Sequence, residues 1–163
     1  MRVYTRLRLP LFELFMETTS QFLFVYGTLL QPGNEFAAYL NKHCKFIADG
    51  RIRGRLYDIG EYPGAVIGNT AERYIYGSIF MMDDPDIILK VIDDYEGVGG
   101  LYQHPYEYIR ETVSIYTTND IMECWMYLYN LPVAAYNEIT TGDYIQYLKD
   151  TSVKNNAAKQ PFK

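Results

Sequence analysis

Ser20-Gln21-Phe22-Leu23-Phe24-Val25-Tyr26-Gly27-Thr28-Leu29-Leu30 decides how the rest of this chain is read. Its unbroken apolar run, Phe22 to Tyr26, is too short for a typical helix and reads as a strand buried on both faces. The run then stops at a small-residue turn. Gly27 frees the backbone to bend and lets a ligand approach closely. In open or partly open sheets the crevice beyond a strand's carboxyl end is the usual ligand position, and a turn there can aim several backbone N–H groups at one anion. By itself the strand followed by Gly-Thr is also what an ordinary tight turn looks like.

Working outward, Pro32-Gly33 marks a loop, and Asn34 caps a short helix through Phe36, Ala37 and Leu40. Lys45 to Ile59 reads as one long strand, with Gly50 and Gly54 suggesting a bend or bulge. Gly64–Gly68 and Arg73–Met82 follow as strands, expected to be antiparallel neighbours. Asp83-Asp84-Pro85 opens a helix, with an aspartate at the cap and a proline in the first turn, and Gly97 ends it after Tyr95. Two more strands are expected at Tyr106–Thr117 and Met122–Tyr129, then a helix starting near Thr141, whose hydroxyl is the expected cap. Short strands interrupted by three helices predict an α+β fold. The expected architecture is a small mixed, largely antiparallel β-barrel or half-open barrel with about three flanking helices.

The chain has 163 residues, enough for one domain with a substantial core. Residues 20–151 form the expected domain. Residues 1–19 read as an extension outside the core: Arg2, Arg6 and Arg8 precede an apolar patch that Glu13 interrupts, without a convincing signal-peptide cleavage site, and Met16 is a natural start. Residues 152–163 lose apolar periodicity and read as a solvated tail. The formal charge of −5 lacks the basic footprint of a nucleic-acid binder. No stretch reaches the length of a membrane helix. Cys44, Cys124, His43 and His104 show no ligand spacing, so no metal and no cofactor are expected, and both cysteines read as buried thiols. His43 is expected at a helix end and His104 in a loop. A cytoplasmic location is expected, and nothing in the sequence specifies an oligomeric state. Seventeen tyrosines suit a β-rich core with polar tips, or an aromatic platform for a ligand.

Ile88, Ile92 and Glu96 are spaced by four, so they share one helix face, and that face is apolar. A carboxylate placed there leaves bulk water, sits at the negative end of the helix dipole and has Asp93 and Asp94 nearby. Each effect raises its pKa toward the range useful for general acid–base work. Geometry alone leaves a second reading, in which the last turn frays and Glu96 points into solvent. Asp93 and Asp94 read as solvated charges. Tyr108 and Arg110, two apart on a strand, share a face that is either an ordinary polar sheet surface or part of a pocket.

Tyr26-Gly27-Thr28-Leu29, Gly54-Arg55-Leu56-Tyr57-Asp58-Ile59-Gly60-Glu61-Tyr62-Pro63-Gly64, Asp93-Asp94-Tyr95-Glu96-Gly97, Tyr108-Ile109-Arg110 and Thr141-Gly142-Asp143-Tyr144 occur in that order. Together these five blocks resemble the gamma-glutamylcyclotransferase family, specifically its AIG2-like and gamma-glutamylamine cyclotransferase branch, over about residues 22–149. The resemblance implies the same small barrel. It also implies a metal-independent enzyme of transferase or lyase type, which closes a gamma-glutamyl amide into 5-oxoproline and frees an amine or amino acid. Glu96 falls on the family's proton acceptor. Tyr26, Gly27, Thr28, Leu29 and Leu30 would cradle the substrate, with Tyr62, Tyr108 and Arg110 as further substrate contacts. Tyr57 and Pro63 would form pocket wall or turn. The Tyr-Gly-Thr-Leu form points to gamma-glutamylamines, since glutathione-type members usually carry Tyr-Gly-Ser-Asn. The spacer from Gly97 to Tyr106 departs from the family pattern in its length and its Gly and Tyr content. The alternative from another class is a noncatalytic module of the same fold that binds a small gamma-glutamyl-like or other polar ligand.

Overall fold

The structure, a computed structural model, describes residues 20–100 and 102–158. Seven strands and three helices run in the order β1 (Phe22–Val25), α1 (Glu35–His43), β2 (Cys44–Asp58), β3 (Pro63–Ile67), β4 (Tyr74–Met82), α2 (Pro85–Tyr95), β5 (Tyr108–Tyr116), β6 (Ile121–Tyr129), β7 (Asn137–Glu138) and α3 (Tyr144–Ala158). Five strands close a mixed barrel in the order β2-β4-β1-β6-β5, with β2 returning to β5 at Arg51 and Tyr116. The β1–β6 pairing is parallel and the other barrel pairings are antiparallel. Three helices flank it, so the expected α+β barrel is the observed fold.

β1 is apolar throughout because both its faces are covered. Phe24 and Tyr26 pack with Ile79, Ile115 and Met126 in one buried cluster. Leu23 and Val25 alternate to the other side and join Leu40, Ile88 and Ile92 beneath the helices. This double burial fixes the end of β1, and with it the turn that follows.

The expected pairing of the third and fourth strands is corrected. β3 and β4 both pair with β2, β4 along Cys44–Arg53 and β3 along Gly54–Asp58, and not with each other. At 15 residues, β2 is long enough for its two ends to serve different neighbours. The bulge also lies elsewhere: the register slips between Phe46 and Ala48. Gly50 and Gly54 instead mark close approaches, since a Cβ would stand 2.5 Å from Ile115 Cγ2 and 2.7 Å from the Val66 carbonyl oxygen.

Asn34 accepts from the Phe36 and Ala37 N–H groups and caps α1, which ends at His43. Asp84 accepts from the Ile87 N–H and Pro85 starts α2. The cap of α3 is Asp143, which accepts from the Gln146 N–H, and not Thr141. Gly142 just before it has φ of 68°, and a Cβ there would collide with the Tyr74 carbonyl. α3 continues to Ala158, beyond the expected domain end at residue 151. The expected extension, residues 1–19, lies outside the described residues, as does the end of the tail, residues 159–163. Cys124 is buried and Cys44 half-buried, both free. No helix among the described residues is long and apolar enough to cross a membrane.

Candidate active site

Four pieces of the fold meet at one pocket of about 400 Å3, counting its open mouth. They are the end of β1 with its following turn, the Tyr62-Pro63 entry to β3, the C-terminal end of α2, and Tyr108 and Tyr127 from the paired strands β5 and β6.

Glu96 enters the pocket because the α2 face dictates it. Ile88 and Ile92 are fully buried, and Glu96 is the next residue in that row. The last turn does not fray. The Glu96 N–H still bonds the Ile92 carbonyl at 2.8 Å, and Gly97, with φ of 69°, turns the chain away. Burial first, and the charge of Glu107 second, push the Glu96 carboxyl from 4.5 up to about 7.

Of the neighbouring acids, Asp94 is exposed as expected and Asp93 is not a free charge. Asp93 pairs with Arg110 at 2.9 Å and accepts from the Tyr127 hydroxyl at 2.8 Å. Asp94 accepts from the Tyr102 hydroxyl at 2.8 Å. The acid whose charge raises Glu96 is therefore Glu107, from the loop before β5.

The turn after β1 lines the same pocket as Glu96. Thr28–Leu30 forms one 3-10 turn behind Gly27. The Leu30 N–H is used internally, on the Gly27 carbonyl at 3.0 Å. The Thr28 and Leu29 N–H groups come before the first such bond, so the turn itself gives them no partner. Gly27 has φ of −126°, so its need for glycine lies in packing: a Cβ would stand 2.9 Å from Pro63 Cγ. The Tyr26 hydroxyl donates to the Tyr127 carbonyl at 2.7 Å and Tyr108 to the Pro63 carbonyl at 2.8 Å. Both are buried and their phenol pKa values are pushed far up, so they stay protonated and brace the walls.

The family model for gamma-glutamyl cyclotransferase, AIG2-like, matches residues 23–146, which contain every residue named in the pocket. The chain belongs to this family. It is 30% identical over 125 residues to the gamma-glutamylcyclotransferase family protein YtfP of Escherichia coli K12, covering 76% of this chain and 95% of that one. The solution structure of ytfP from Escherichia coli superposes with a TM-score of 0.54 at 28% identity, covering 77% and 97% of the two chains. YkqA from Bacillus subtilis superposes with a TM-score of 0.64 at 25% identity, where the match covers 84% of this chain but 44% of that protein.

Of the residues singled out in this gamma-glutamylcyclotransferase family member, Tyr26, Gly27, Thr28, Leu29, Tyr62, Tyr108 and Glu96 converge on the pocket. Leu30 does not line it. Arg110 does not either: its guanidinium is held by Asp93 and lies over the Trp125 ring, 4.9 Å from the centroid. Tyr57 also lies outside the lining, whereas Pro63 is part of the wall. Tyr127 and Glu107 were missed. Trp125, Tyr127 and Tyr129 alternate with Met126 and Leu128, a period-2 signal that places Tyr127 on the Tyr129 face. Glu107 sits in an irregular loop and carried no such signal. Among the described residues no three His, Cys, Asp or Glu side chains gather to hold a metal.

Proposed function

We propose that this chain is a gamma-glutamyl cyclotransferase that releases 5-oxoproline from a gamma-glutamyl amide, with Glu96 as proton acceptor and donor. One observation carries the reading: a carboxylate with pKa raised to about 7 lines the same pocket as the Gly27-Thr28-Leu29 turn. The substrate's α-ammonium gives a proton to the Glu96 carboxylate. The freed amine nitrogen bonds to the γ-carbonyl carbon, closing a five-membered ring. The intermediate, an oxyanion beside a protonated ring nitrogen, collapses: Glu96 gives its proton to the leaving nitrogen as the bond to that nitrogen breaks, and the extra proton on the ring nitrogen passes through the Glu96 carboxylate to the released amine, which leaves as its ammonium. No water is consumed, and the products are 5-oxoproline and a free amine.

Because the nucleophile belongs to the substrate, the protein's work is folding the substrate and relaying its protons from the attacking to the leaving nitrogen. The Thr28 and Leu29 N–H groups suit the substrate's α-carboxylate or the developing oxyanion. The apolar wall of Leu23, Val25 and Pro63 keeps Glu96 desolvated and therefore basic near pH 7. The Tyr-Gly-Thr-Leu turn supports gamma-glutamylamines as the substrate branch. Incubation of purified protein with gamma-glutamyl-ε-lysine, gamma-glutamylcysteinylglycine and simple gamma-glutamyl alkylamides, with 5-oxoproline as the readout, tests this. Release from at least one amide is expected; folded protein inert toward all of them contradicts the reading.

A further inference from the structure

The rim of the pocket beside Glu96 carries chemistry that ring closure does not use. Glu107 is a half-buried carboxylate, and the ion pairs among the described residues engage Glu138 and Asp93, not Glu107. Its position is fixed. The Glu107 carbonyl accepts from the Asn130 N–H at 2.8 Å, and its side chain accepts the Tyr62 hydroxyl at 3.0 and 3.2 Å. Four tyrosine rings run along this rim in edge-to-face contact. Tyr62–Tyr108, Tyr108–Tyr129 and Tyr129–Tyr136 have centroids 6.1, 5.6 and 6.2 Å apart. The outer two, Tyr62 and Tyr136, are 36% and 37% exposed, so their rings are open to a ligand.

A fixed carboxylate with no cation partner among the described residues, set among exposed ring faces, is a combination that attracts an organic cation. No Lys or Arg lines the pocket, so a leaving group bearing a carboxylate meets Glu96 and Glu107 with nothing to offset the repulsion. We propose that Glu107, Tyr62 and Tyr136 form a leaving-group subsite for a second ammonium, so that the preferred substrates are gamma-glutamyl amides of diamines or longer polyamines. This rests on the cyclotransferase reading for its orientation: the γ-carbonyl lies at Glu96 and the leaving amine extends toward the rim. Glu107 then has two effects. It holds the substrate's distal charge, and before substrate binds it keeps Glu96 protonated at higher pH.

The test needs no turnover. Binding of mono-gamma-glutamyl-1,5-diaminopentane and of gamma-glutamyl-hexylamide, which replaces the distal ammonium with a methyl group, is measured by calorimetry on Glu96→Gln protein. About tenfold tighter binding of the ammonium-tipped amide is expected, from one charge pair at a partly solvated rim. The preference is expected to shrink in about 0.5 M salt. It should fall to near one in a Glu96→Gln/Glu107→Gln protein, where the amide oxygen introduced by the second substitution can still accept from Tyr62. Equal binding of the two amides, or tighter binding of the hexylamide, overturns the subsite. If wild-type protein also turns both over alike, the subsite falls while the reaction stands. A cation preference in protein that releases no 5-oxoproline supports the subsite and counts against the reaction alone.

Discussion

Replacing Glu96 with Gln is expected to abolish turnover and at the same time stabilise the fold, by an amount that grows as pH rises above 4.5 and is complete above about 7. The folded-state pKa of Glu96 is raised from 4.5 to about 7, so the native chain holds this proton more tightly than the unfolded chain does. Below pH 4.5 the carboxyl is protonated in both states and contributes no pH-dependent difference. Between 4.5 and 7 the unfolded chain ionises first and stability falls. Above 7 both states are ionised and the full penalty of a charge in an apolar pocket is present. At about 1.4 kcal/mol per pH unit, the ceiling is roughly 3 kcal/mol, and solvent reaching the half-buried carboxylate reduces it to about 2 kcal/mol. Glutamine is nearly isosteric and carries no charge, so it removes that penalty. Thermal or urea unfolding of wild type and Glu96→Gln from about pH 4 to 8.5 reads the difference. The curves should coincide near pH 4 and separate by about 4–8 °C at about pH 8 for a chain of this size. A constant offset across the pH range, or a variant less stable at the alkaline end, would refute the reasoning that burial sets this carboxylate's pKa.

Activity should show the same group from the other side. Wild-type kcat/KM is expected to rise with pH through about 7, and Glu107→Gln should move this limb to lower pH by removing the second cause of the shift; an unmoved limb counts against Glu107 as that cause. Gly27→Ala forces the turn off the Pro63 ring and should cut kcat/KM about 100-fold with a smaller loss of stability, measured by 5-oxoproline release beside thermal unfolding. Gly142→Ala combines an unfavourable positive φ with a collision at Tyr74, outside the pocket lining; a loss of at least about 2 kcal/mol is expected in denaturant titrations. Arg110→Ala leaves Asp93 half-buried without its cation and should cost about 1–3 kcal/mol, with a double-mutant cycle against Asp93→Asn recovering coupling of about 1 kcal/mol.

The elements legible in the sequence are those whose signals are local. Phe22–Tyr26 announces a doubly buried strand by composition alone, and Asp84-Pro85 with Gly97 brackets α2 by capping chemistry that depends on no distant contact. Glu96 follows from the spacing of Ile88 and Ile92, because a helix face is a one-dimensional pattern. Pairing is not such a pattern. β3 and β4 are neighbours in sequence, yet each bonds to a different half of β2, a choice made by the length of β2 and the closure of the barrel. The fates of Asp93 and Arg110 were hidden for the same reason, since their pairing joins α2 to β5 across the outside of the sheet. Glu107 shows the limit most clearly. Its influence on Glu96 comes from a loop position fixed by Asn130 and Tyr62, with no periodicity to mark it.

The most direct test of the central claim is 5-oxoproline release from one good gamma-glutamyl amide by wild-type and Glu96→Gln protein at about pH 8, beside the same amide with its α-amine acetylated. The account predicts release by wild type, loss of about 1,000-fold or more in the folded variant, and none from the acetylated amide. Undiminished release by Glu96→Gln, or cleavage of the acetylated amide, would contradict it.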